Sequence, residues 1–147
     1  MRKSKDKLYY VSNHSCFLLQ YHLVMVTKYR HPVISGNLKK HLHNIIDDYF
    51  KLQGYPLLEM NSDKDHIHIL FEAPPSICLS VFTNNLKTVT SRLIRKEFKD
   101  ELKTYYWKPY FWSQSYFICT VSERSLSAVQ HYIQHQGKNE ANPTTKA

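Results

Sequence analysis

Within DKDHIHILF, residues 63–71, two histidines stand one residue apart in an apolar segment of strand character. Side chains alternate faces along a strand, so His66 and His68 point one way while Ile67, Ile69 and Phe71 point the other. Two neutral imidazoles side by side on a rigid strand form half of a divalent-metal site. The plain alternative is a pair of half-exposed polar residues on the open face of a sheet. His41 and His43 repeat the spacing inside a helical pattern, where positions i and i+2 diverge by about 200°, and that pair cannot chelate. His131 and His135 lie four apart on a helix and share a face; they could chelate, although solvated histidines near a helix end are the plainer reading.

The residues that could complete a site lie in QHYIQHQG. Tyr132 and Gln136 are i, i+4 on a helix, beside a packing stripe of Leu126, Val129 and Ile133. A glutamine carbonyl oxygen is a hard ligand suited to Mg2+ or Mn2+. A tyrosine beside such an ion has a use as a nucleophile, although its ordinary pKa of about 10 leaves it weak until activated. Such a pair suits phosphodiester chemistry: phenolate attack at phosphorus expels the 3′-oxygen and conserves the bond as a phosphotyrosine. Tyr132 is nevertheless one of 11 tyrosines, and a tyrosine at the edge of a core is its plain alternative.

The elements that must position these groups follow from periodicity and punctuation. A strand is expected over residues 17–27 and an amphipathic helix over 37–54, with Leu38, Leu42, Ile45, Ile46, Tyr49 and Phe50 inward and Gly54 as the stop. Strands over 55–61 and 66–72 should form a hairpin through the polar turn NSDKD, and two prolines close the second of them. A second helix over 79–98 carries Phe82, Leu86, Val89 and Leu93 on one side. A strand over 111–121 and a helix over 125–136 follow, with Ser122 or Ser125 as cap and Gly137 as the close. The order β-α-β-β-α-β-α predicts an α+β, ferredoxin-like (RRM-like) antiparallel sheet with two helices on one face and a third, tyrosine-bearing helix added.

The 147 residues suit one domain, 1–147, with a basic arm over 1–15 and a flexible tail over 138–147. No apolar run is long enough to span a bilayer, and MRKSKDKLYYVSNHS lacks the apolar centre of a secretory signal, so the cytoplasm is the expected compartment. Cys16, Cys78 and Cys119 are widely spaced and odd in number; reduced, mostly buried thiols are expected. Twenty Lys and Arg against 12 Asp and Glu give a formal charge of +8, which suits a polyanionic partner.

DKDHIHIL, followed some sixty residues later by QHYIQHQ, resembles the HUH single-tyrosine transposases (TnpA) of small insertion sequences that move as single-stranded DNA. YHLVMVTKYRHPVISG, SRLIRKEF and WSQSYFICTVS carry the resemblance further, over roughly residues 21–136. It implies that His66 and His68 are the metal pair, with Mg2+ or Mn2+ as cofactor, and that Gln136 completes the metal site. It also implies that Tyr132 is the nucleophile, leaving a 5′-phosphotyrosine and a 3′-OH. The substrate would be single-stranded DNA marked by hairpins, and the protein a homodimer whose tyrosine helix can complete the partner's site. Lys28, Arg30, Lys87, Arg92, Arg95 and Lys96 are DNA contacts on charge alone. Glu59 is a reserve metal ligand. An HUH nickase, a domesticated hairpin-processing relative and a non-catalytic ferredoxin-like nucleic-acid-binding module are the alternatives.

Overall fold

The computed structural model describes residues 1–122 and 125–137. The tail expected over 138–147, and the position directly before the last helix, lie outside the described residues; Gly137, the expected close of that helix, follows it with φ 83°. Three two-residue strands, β1 (Arg2–Lys3), β2 (Tyr10–Val11) and β3 (Cys16–Phe17), form a small antiparallel sheet. The main sheet takes β4 (Gln20–Val26), β5 (Leu57–Ser62), β6 (His66–Glu72) and β7 (Phe117–Thr120) in the order β5-β6-β4-β7. Its ladders are all antiparallel. With helices α1 (Gly36–Gln53) and α2 (Leu79–Glu97) between the strands, this is the ferredoxin-like order expected from the sequence. A short α3 (Lys99–Lys103) and the last helix α4 (Ser125–His135) complete the chain.

One face of the sheet is the main core. Leu23, Met25, Ile67, Ile69 and Phe71 are fully buried there against Leu42, Ile46 and Phe50 of α1 and Phe82, Leu86 and Ile94 of α2. Burial of side chains of this size stabilises by about 1.5–3 kcal/mol each before the entropy of ordering is charged. Gly54 closes α1 in the left-handed region at φ 76°, donating its N–H to Lys51 and Phe50. β6 ends before Pro74 and Pro75, which cannot continue a ladder.

Several sequence expectations shift. The buried stripe of α2 runs Phe82, Thr83, Leu86, Thr90 and Ile94, while Val89 is only partly buried and Leu93 is exposed. Thr90 can turn inward because its hydroxyl donates to the Leu86 carbonyl at 2.7 Å and accepts from Trp112 Nε1 at 2.9 Å. The strand expected over 111–121 is shorter. Phe111 and Trp112 turn into the main core, Trp112 keeping one bridge to Thr27, and regular pairing resumes only at Phe117. The first strand begins at Gln20, because Phe17 belongs to β3. Cys16 and Cys78 are exposed rather than buried: Cys16 faces outward opposite Phe17, and Cys78 precedes α2.

The stretch expected to be an arm is instead folded against the main sheet. Tyr10 stacks on Phe17 with ring centroids 5.6 Å apart, and its hydroxyl donates to buried Glu72 at 2.5 Å. Gln20 Nε2 donates to the other Glu72 oxygen at 2.9 Å. Burial first, and the neighbouring carboxylate second, push the Tyr10 phenol up to about 12. A raised pKa contributes stability that is whole below the unfolded value near 10 and lost as pH rises through about 12. The difference in Tm between wild type and Tyr10→Phe should therefore be constant to about pH 10 and shrink from there to about pH 12. A difference that stays flat across that window would contradict the contact.

Candidate active site on the histidine face

Strand alternation leaves the second face of the sheet to His22, Val24 and Val26 of β4, Glu59 and Asn61 of β5, and His66, His68 and Leu70 of β6. The ladder sets Val26 opposite His66, Val24 opposite His68 and His22 opposite Leu70. α4 packs on this face over β4 and β7. Val129 is buried with Val24 and Val26, and Phe117, Cys119, Tyr132 and Ile133 pack around them. Leu126, expected in the stripe, is exposed, since the helix meets the sheet from Val129 onward. The tyrosine helix thus covers the strand beside both histidines.

Tyr132 and Gln136 meet at one side chain. Ser115 Oγ lies 3.2 Å from the Tyr132 hydroxyl and accepts from Gln136 Nε2 at 2.6 Å. That bond uses the amide N–H of Gln136 and leaves its carbonyl oxygen as the acceptor. The Tyr132 ring lies against Phe117, centroids 5.1 Å apart.

The turn ahead of the histidines joins their end of the site to the helix. Asp65 Oδ1 is 2.8 Å from His66 Nδ1, and its Oδ2 accepts from Arg30 Nε at 3.0 Å. Arg30 Nη1 donates onward to the carbonyls of Ile133 at 2.5 Å and Gln136 at 2.8 Å, the end of α4. Burial alone would raise the Asp65 carboxyl, but the hydrogen bonds from Arg30 and His66 outweigh it and hold it below its ordinary value. Arg30 is brought there by backbone strain: Tyr29 and Arg30 both sit in the left-handed region, at φ 59° and 56°. Gly137, at φ 83°, follows because a Cβ there would lie 3.0 Å from Arg30 Cγ. Replacing Arg30 by Ala should cost about 2 kcal/mol and raise amide hydrogen exchange selectively in α4. Unchanged protection of α4 would mean that the apolar contact with Val24 and Val26 suffices.

An acceptor-only carboxylate at Nδ1 makes that nitrogen the donor, so His66 keeps the Nε2 lone pair for a ligand. His68 Nε2 lies 2.7 Å from His22 Nδ1, with the two rings stacked at 5.0 Å. Burial lowers the pKa of both, the two imidazoles add to this for His68, and Glu59 pulls the other way. Both shifts favour the neutral ring, the form that ligates. Among the described residues no three His, Cys, Asp or Glu side chains converge as a metal centre. Two imidazole nitrogens and an amide oxygen are nonetheless a set that accepts Mn2+ or Mg2+ when phosphate oxygens fill the remaining positions.

The other sequence candidates separate. Lys87 Nζ donates to the carbonyls of Ser113 at 2.7 Å and Gln114 at 2.9 Å, so it props the segment that carries Ser115. Burial, with Lys28 nearby, lowers its pKa. Lys28 Nζ sits over the rings of Tyr29 and Tyr110. Arg92 borders an apolar groove between α1 and α2, Arg95 donates to Ser91 at 3.1 Å, and Lys96 is exposed. His41 is exposed and His43 bonds Ser62 at 2.7 Å, so that pair diverges as expected. His131 and His135 stack in solvent at 4.1 Å. Glu59 does lie on the histidine face, holding Asn61 at 2.8 Å. The sequence alone does not single out His22, Ser115 or Asp65. Alternation applied to β4 would have found His22.

The fold and this face define a class. The family model for IS200-like transposases matches residues 15–136, and the chain belongs to that family. It is 33% identical over 124 residues to the ISDra2 transposase TnpA of Deinococcus radiodurans, covering 84% of this chain and 88% of that protein. It is 32% identical over 123 residues to the IS200 transposase of Salmonella typhimurium, covering 84% and 80%. A crystal structure assigned to a transposase of Deinococcus radiodurans superposes with a TM-score of 0.80 at 30% identity, over 90% of this chain and 99% of that one. A REP-associated tyrosine transposase bound to a REP hairpin shares the fold, with a TM-score of 0.53 at 10% identity over 86% and 76%. Among the described residues no helix is long and apolar enough to cross a membrane.

Proposed function

We propose that this IS200-like transposase cleaves and rejoins single-stranded DNA at hairpin-marked ends, with Tyr132 as its nucleophile. The observation that supports the reading is the seat of α4, which packs Tyr132 beside Val24 and Val26, the neighbours of His68 and His66 in the ladder, and joins Tyr132 to Gln136 through Ser115. The Tyr132 oxygen attacks phosphorus in line as the bond to the 3′-oxygen breaks. The phenol loses its proton, the leaving oxygen gains one, and a 5′-phosphotyrosine and a free 3′-OH result. Because the phosphotyrosine keeps the bond energy, another 3′-OH can reverse the step and join a new strand. Ser115 holds the phenol and the Gln136 amide in one orientation, and Lys87 holds the backbone before Ser115.

His66, His68 and Gln136 would hold Mg2+ or Mn2+. When bound, such an ion supplies polarisation of a non-bridging phosphate oxygen and orientation of the phosphate. Asp65 fixes the tautomer of His66, while His22 engages the Nε2 of His68. Hairpin recognition is the property of the REP-associated fold neighbour that we extend to this chain. The net charge of +8 suits such a substrate. Lys28, Arg92, Arg95 and Lys96 are its candidate contacts, whereas Arg30 and Lys87 serve the tyrosine helix and the Ser115 segment. A homodimer is part of the reading. In a dimer that exchanges helices, α4 would first have to leave Arg30.

The test is incubation with single-stranded oligonucleotides that carry candidate hairpins, with Mn2+ or Mg2+. A covalent protein–DNA adduct that a chelator abolishes is expected. Tight hairpin binding with no adduct under any metal would instead favour a binding module without chemistry.

A further inference from the structure

The match to the family begins at residue 15, so β1, β2 and the turn between them lie outside it. That segment carries Arg2, Lys3, Lys5 and Lys7 against one acid, Asp6. It is a built hairpin. Ser4 N–H donates to the Tyr9 carbonyl at 2.8 Å and Lys7 N–H to the Ser4 carbonyl at 3.0 Å. Asp6 accepts from the Ser4 hydroxyl at 2.5 Å and the Leu8 N–H at 3.3 Å, and Lys7 turns the chain at φ 62°. The acid is therefore spent inside the turn, and among the described residues none of the four cations has a salt-bridge partner. Arg2, Lys3, Lys5 and Tyr9, with Asp6, line a concavity beside the turn. Leu8 and Tyr9 are large apolar groups left exposed beside it.

The hairpin is also held rigidly. Tyr10 is fixed by Glu72 and by stacking on Phe17, and Lys3 Nζ sits 5.5 Å over the Tyr10 ring. Glu72 and His66 are opposite ends of β6, so the anchor lies about 20 Å along the sheet from His66. A fixed cationic concavity with an exposed aromatic ring suits a phosphodiester backbone with an unpaired base against the ring. At that distance it cannot hold the phosphate that Tyr132 would attack.

We infer that residues 2–11 form a second, separate DNA contact, binding the phosphodiester backbone of the substrate several nucleotides away from the cleaved bond. The inference rests on the DNA reading above. Lys3 supports Tyr10, so the test spares it. Arg2→Gln/Lys5→Gln/Lys7→Gln and the charge-conserving Arg2→Lys/Lys5→Arg/Lys7→Arg are compared with wild type by fluorescence anisotropy on a hairpin-bearing single-stranded oligonucleotide over a range of salt. The Gln variant should bind about tenfold or more weakly at low salt, with the slope of log K against log salt reduced by roughly 2. The charge-conserving variant should match wild type. At saturating DNA the adduct yield of the Gln variant should be unchanged. Equal affinity and slope in the Gln variant would overturn the inference, as would a loss of adduct at saturation, which would place the hairpin in the reaction itself. Wild-type protein that binds no such DNA would overturn the DNA reading together with this one.

Discussion

Tyr132→Phe should abolish the covalent DNA adduct while leaving the protein folded. Removing the hydroxyl deletes the proposed attacking atom, so the rate should fall by on the order of 10³-fold or more. The ring stays, and with it the contact to Phe117 and the packing beside Val129. The contact with Ser115 at 3.2 Å is lost, worth about 0.5–1.5 kcal/mol. Thermal melting and adduct formation on the same preparation separate the two effects. An adduct that persists would move the nucleophile to another residue. A large drop in Tm would trace the lost adduct to folding rather than to chemistry; Ser115→Ala, which keeps the phenol but removes its contact with Ser115 and that of Gln136, should then melt lower as well yet still form adduct.

His66→Ala should lower Mn2+ affinity by about 100-fold or more, read directly by titration calorimetry without DNA. The chain provides its own controls. His41→Ala removes a histidine of the same local spacing whose helix points it to solvent, and should change nothing. His22→Phe probes the ring that engages His68 Nε2: it should alter affinity without abolishing it, because His66, His68 and Gln136 all remain. If His66→Ala binds Mn2+ as wild type does, the metal lies elsewhere, and Glu59, whose charge is felt by His22 and His68, is the next residue to replace.

Much of this site is legible in the amino-acid sequence itself. Period-two alternation alone puts His66 and His68 on one face, and period 3.6 alone pairs Tyr132 with Gln136. Those signals are local, and they survive because a buried face fixes strand register. What is not legible depends on tertiary contact. Thr90 reads as polar surface, yet it is core because Trp112 needs an acceptor. Lys87 and Arg30 read as DNA-facing charge, yet each satisfies two carbonyls of a distant segment. The short strands around Tyr10 carry too few residues for any periodicity to show. Ser115 is one serine among many until Tyr132 and Gln136 arrive from the far end of the chain.

The shared carboxylate of Asp65 has a thermodynamic consequence. One oxygen serves the imidazole of His66, and the other serves the guanidinium that ends α4. A positive ion on Nε2 would make the opposite N–H a stronger donor, and the carboxylate would then be drawn on from both sides. Ligation at the strand, if His66 holds the metal as proposed, would thus be linked to docking of the helix, and linkage is reciprocal: by whatever factor a docked helix changed metal affinity, bound metal would change helix docking by the same factor.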